Sequence, residues 1–70
     1  MTADVTLYIG IPPYHAKYRF SDASVWQGVR SQIVTAMQAG HGIIEVPHKG
    51  DTVAYVYTPF VPVNWVEARG

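Results

Sequence analysis

Seventy residues make one small domain, 1–70, and a chain of this length buries only about 60% of the surface that it exposes when unfolded. The absence of cysteine excludes disulfides, thiolate metal sites and cysteine nucleophiles together, which leaves a partner subunit as the most available supplement to a small core. Five basic side chains balance five acidic ones, so no net field steers the chain to nucleic acid or to an anionic membrane, and little repulsion keeps monomers apart.

The first segment, "VTLYIGI" (5–11), places Val5, Leu7, Ile9 and Ile11 on one face of a strand and Thr6, Tyr8 and Gly10 on the other. Pro12 and Pro13 then end the ladder, because neither has an N–H to donate. "YHAKYRF" (14–20) alternates again, Tyr14, Ala16, Tyr18 and Phe20 against His15, Lys17 and Arg19, and predicts a second strand antiparallel to the first with a cationic outer face. In "SDASVWQGVRSQIVTAMQAG" (21–40) the period changes to about 3.6. Val25, Val29, Ile33, Ala36 and Met37 form one helical stripe with Trp26 at its edge. Ser24 with Gln27 fits a capping box, Asp22 is a competing cap, and Gly40 suits a left-handed helix end.

Past the helix, Ile43 to Val46 is too short and too β-branched for a second helix. "HKGD" (48–51) is a turn with Gly50 free to take a positive φ. "TVAYVY" (52–57) completes a hairpin, with Val53, Tyr55 and Tyr57 alternating against Thr52, Ala54 and Val56. Pro59 and Pro62 bend the chain, and "VNWVEA" is a last short strand of edge character. The order β-β-α-β-β-β predicts an α+β domain in which one helix packs on a single antiparallel sheet or a small, partly open barrel. One helix covers only part of five strands, so apolar or aromatic surface remains to be curled inward or buried against another molecule.

Catalytic and metal chemistry find no constellation here. The gaps between His15, His41 and His48 match no compact zinc spacing. Ser21, Ser24 and Ser31 sit where capping and solvation explain them, and the carboxylates are scattered singly. The reading is a non-enzyme without cofactor or metal. His15, Lys17, Arg19, Arg30 and Lys49 supply the alternative of a nucleic-acid-binding sheet, which zero net charge and few cations disfavour. The aromatics are the stronger signal, since two Trp, five Tyr and two Phe exceed what one small core fully encloses, and such residues anchor interfaces; the alternative is that they form the core of a chain whose one leucine is Leu7. Tyr8, Tyr14, Tyr55, Tyr57, Phe60 and Trp65 are the candidate contact residues.

"LYIGI" in the first strand, "AGHGIIEVP" across the helix end and "VNWVEA" at the close are similar to a family of short actinobacterial proteins of unknown function and to small accessory proteins of the phages of those bacteria. The Pro-Pro turn and the long "YTPFVPVN" connection depart from that pattern. The resemblance implies a fold and a source, and it carries no catalytic residue over. No apolar run approaches the roughly 18 residues of a membrane span, and the N-terminus lacks the basic region of a signal peptide. The expectation is therefore a small cytoplasmic protein that acts by protein binding, as a homo-oligomer. If it is phage-encoded, it acts in the host cytoplasm, with a host protein as the further partner.

Overall fold

A computed structural model describes residues 2–11, 13 and 15–68 of the chain. The elements are β1 (Thr2–Ile9), β2 (Ala16–Asp22), α1 (Ala23–Ala39), β3 (Gly42–His48), β4 (Asp51–Tyr57) and β5 (Val63–Glu67), which is the expected α+β order. The strands divide into two antiparallel sheets, β2-β1-β5 and β3-β4, and do not close into a barrel.

β1 is the central strand of the larger sheet, and its alternation explains why. Val5, Leu7 and Ile9 are all buried, while Thr6 and Tyr8 face outward opposite Arg19 and Lys17 of β2 and Val66 and Asn64 of β5. The strand ends at Ile9 because Gly10 takes a φ of 111° and donates its N–H to the Pro62 carbonyl at 2.9 Å. Ile11, expected on the aliphatic face, therefore lies beyond the ladder and is exposed. β5 returns to β1 rather than to β4, its neighbour in sequence.

The smaller sheet is a two-residue hairpin. Lys49 and Gly50 have φ values of 51° and 83°, the paired positive angles of a type I′ turn, whose twist matches that of the flanking strands. β3 and β4 then pair from Gly42↔Tyr57 to His48↔Asp51. Ile44 and Val46 are buried, and Tyr55 and Tyr57 pack against the core on the inner side.

α1 starts at Asp22, which wins over Ser24 as the cap: its carboxylate accepts from the N–H groups of Ser24 and Val25 and from the Ser24 hydroxyl. Those bonds hold the Asp22 carboxyl below its ordinary value, the Ser24 hydroxyl most of all. Gly40 closes the helix in the left-handed region, its N–H on the Ala36 carbonyl. The buried stripe is Trp26, Val29, Ile33 and Ala36: Val29, Ile33 and Ala36 are as expected, whereas Val25 and Met37 are exposed and Trp26 moves from the edge into the stripe. Trp26 displaces Val25 because its indole packs 5.4 Å from the rings of both Phe20, tilted, and Trp65, edge-on, and donates Nε1–H to Glu67 Oε1 at 2.9 Å. Ala36 rather than Met37 faces β3, because the strand comes so close there that a Cβ on Gly42 would lie 2.9 Å from the Ala36 methyl.

Among the described residues, two side-chain hydrogen-bonded contacts help to tie the halves together. Gln32 of α1 hydrogen-bonds the backbone of Glu45 on β3. The hydroxyls of Tyr18 on β2 and Tyr55 on β4 hydrogen-bond each other across the space between the sheets.

Candidate interaction surface

The loop from β4 to β5 is shaped by its own backbone. Val61 donates its N–H to the Thr58 carbonyl at 3.0 Å, and Phe60 N–H reaches Thr58 Oγ1 at 3.3 Å. This tight turn holds the Phe60 ring out, 90% exposed. The Gly10–Pro62 hydrogen bond fastens the loop to the end of β1, which brings Ile11, 68% exposed, to the same end of the molecule. Gly10, Ile11, Phe60, Val61 and Pro62 line an apolar cleft of about 460 Å³.

A smaller cleft of about 270 Å³ shares Gly10 and Pro62 with it and is lined further by Tyr8, His15 and Asn64. The His15 ring lies 5.3 Å from that of Tyr8, and its Nδ1 is buried without a hydrogen-bond partner among the described residues. A buried nitrogen left without a partner carries a desolvation cost. The arrangement is an apolar surface with Tyr8, His15 and Asn64 at its rim, and among the described residues that line it there is no paired nucleophile and base.

A second apolar patch lies on the outer face of the hairpin. Ile43 and Val56 are directly opposite each other in register and are 60% and 71% exposed. Cross-strand aliphatic neighbours of this kind form one continuous surface.

The candidate residues separate accordingly. Phe60 is fully presented, and Tyr8 is half-buried on the outer face of the larger sheet. Tyr55, Tyr57 and Trp65 are half-buried on the inner side, packed on the core. Burial, first of all, and then Tyr18, through its hydrogen bond and its charge when ionised, push the Tyr55 phenol up to about 12. Tyr14 lies outside the described residues. Of the cations, Lys17 and Arg19 share the outer face of β2, with Arg19 on Asp4 at 3.3 Å. Arg30 is exposed on α1, and Lys49 occupies the hairpin turn.

Ile11 belongs to the exposed apolar surface, whereas strand periodicity alone assigned it inward. Its signal was the Gly10–Pro12 bracket, which ends the ladder before it. His41 and His48 are exposed, His48 with its ring 5.4 Å from that of Tyr18. Among the described residues no three His, Asp or Glu side chains converge as a metal site, and no helix is long and apolar enough to cross a membrane. No protein-family model matches the chain, and neither a curated protein nor a solved structure matches it.

Proposed function

We propose that this chain is a non-enzymatic protein-binding module that assembles with copies of itself, with the Ile11–Phe60 cleft at the centre of the contact. The observation that carries the reading is the joint exposure of Phe60 and Ile11 on fastened loops around an apolar cleft. Burying one such side chain stabilises an assembly by about 1.5–3 kcal/mol, and a ring held by local hydrogen bonds loses little freedom on docking. A contact of ordinary size, about 800 Å² per partner, extends past the cleft toward neighbouring surface.

The test is native mass by size exclusion with light scattering at a high and a low protein concentration, on the natural chain and on Phe60→Ser. A defined oligomer that Phe60→Ser dissociates supports the reading. A monomer at both concentrations removes self-association, and an oligomer indifferent to Phe60→Ser moves the contact elsewhere, with the Ile43–Val56 patch as the next place to substitute.

A second reading, single-stranded nucleic acid on the outer face of the larger sheet, is favoured by Tyr8 lying directly opposite Lys17 with Arg19 two residues along. The Asp4 carboxylate on Arg19 and the zero net charge weigh against it. Absence of any anisotropy change with a labelled oligonucleotide at low ionic strength removes it.

A further inference from the structure

β2 is the outermost strand of its sheet, so the side of it away from β1 has no backbone partner among the described residues. An uncovered strand edge is a template for another strand, and three features narrow what this one accepts. A groove of about 400 Å³ runs along it, with Lys17 through Asp22 as one wall and Val25, Pro47 and His48 as the other. The opposite strand cannot fill that groove, because Pro47 of β3 has no N–H to give a ladder and Gln32 already occupies the backbone of Glu45. Side chains alternate along the edge, Lys17 and Arg19 exposed on the outer side and Tyr18 and Phe20 turned inward.

We infer that the free edge of β2 is an acceptor groove for an extended peptide of a partner protein, one with acidic residues at alternate positions and apolar residues between them. A strand added there sets alternate side chains beside Lys17 and Arg19, where carboxylates are complementary, and the intervening ones toward Phe20, Val25 and Pro47. A second copy of β2 is a poorer occupant in two of its central registers, whereas centring on Phe20, which sets Arg19 opposite Ser21, avoids facing like charges. Two-fold antiparallel pairing centred on Tyr18 sets Lys17 opposite Arg19, and centring on Arg19 sets that residue opposite itself, both repulsive. Asp22 at the far end of the groove is already engaged by the helix start, and Asp4 reaches Arg19 from β1. Lys17 is therefore the position that most favours an acidic residue, and Arg19, shared with Asp4, the second. The inference is independent of the self-association proposed above.

The test uses the full chain and a labelled peptide about eight residues long, enough to span the edge, alternating valine with glutamate. The control peptide has lysine for glutamate. Saturable binding of the glutamate peptide, weaker at about 300 mM than at about 20 mM salt, is expected, with slowed hydrogen exchange across residues 17–22. Lys17→Glu, an exposed change that leaves the fold intact by circular dichroism, is expected to weaken binding about tenfold, whereas Phe60→Ser leaves it unchanged. The inference is overturned by no binding at low salt, by equal binding of the lysine peptide, or by binding without slowed exchange in β2. A single-stranded oligonucleotide that displaces the peptide at lower concentration overturns it in favour of nucleic acid.

Discussion

Gln32 of α1 uses both ends of its amide on one residue of β3: Glu45 donates its N–H to Gln32 Oε1 at 2.8 Å, and Gln32 Nε2 donates to the Glu45 carbonyl at 3.1 Å. A side-chain amide here takes the place of a neighbouring strand. It explains why the strands fall into two sheets, since the edge of β3 is satisfied by the helix that leads into it.

Gln32→Ala leaves both backbone groups of Glu45 without their partner. We expect a loss of about 1–2 kcal/mol in urea unfolding, with the hairpin amides the first to exchange. Gln32→Glu keeps an acceptor for the N–H but sets a carboxylate against the carbonyl, so it should be no better than alanine at neutral pH and recover as the carboxyl is protonated. An unchanged midpoint for both variants would remove this pair from the account of the sheet division.

Much of the architecture was legible because period-two and period-3.6 patterns are enforced by burial: Val5, Leu7 and Ile9 inward, Lys17 and Arg19 outward, Val29 and Ile33 in the helical stripe. What a single sequence does not encode locally is pairing between distant segments. Gln32 reads as one more polar helix residue until Glu45 is beside it, and β5 carries no mark that it returns to β1. The same applies to the stripe. Trp26 belongs at its centre only because Phe20, Trp65 and Glu67 meet it in space. Of the contact surface, Phe60 was legible as an aromatic between two prolines, whereas the inner-side placement of Tyr55 and Tyr57 depended on which face of β4 met the core.

Gly42 has ordinary backbone angles, and its role is one of space. A Cβ would lie 2.9 Å from the Ala36 methyl and 3.3 Å from the Ala36 Cα, so the strand or the helix must move. Gly42→Ala is expected to cost about 1–3 kcal/mol by denaturant titration, as overpacking does. Ala36→Gly alone costs about 1 kcal/mol of helix propensity, so the variants are compared as a cycle, and a Gly42→Ala cost that is no smaller in the Ala36→Gly background would show that the close approach is not the cause.

The Tyr18–Tyr55 pair gives the fold an alkaline limit. The folded chain holds the Tyr55 proton more tightly than the unfolded one, with its value raised from 10.0 to about 12. Its contribution is therefore present in full below pH 10 and is lost as the pH rises from there toward 12. Unfolding midpoints should fall across that window, and one phenolate should appear late in an ultraviolet titration. Tyr55→Phe should flatten the fall, and an equally steep loss in that variant would place the alkaline sensitivity elsewhere.

Lys49 occupies the first of two positive-φ positions in the hairpin turn, at 51°. A side chain with a Cβ in the left-handed region costs roughly 1 kcal/mol, and asparagine, whose short amide bonds locally, visits it with less strain. An asparagine followed by glycine is also the preferred pair for a type I′ turn. Lys49→Asn should therefore raise stability by about 0.5–1 kcal/mol, while Lys49→Val, β-branched at a positive φ, should lower it by more than that. Thermal melts of the three chains give the order Asn above Lys above Val if the turn has these angles. Val at or above Lys would mean that the hairpin turns through a different pair of residues. The substitution also removes a cation close to His48 at the end of the β2 groove. If the acidic peptide binds Lys49→Asn as well as the natural chain, its carboxylates rest on Lys17 and Arg19 rather than on the turn.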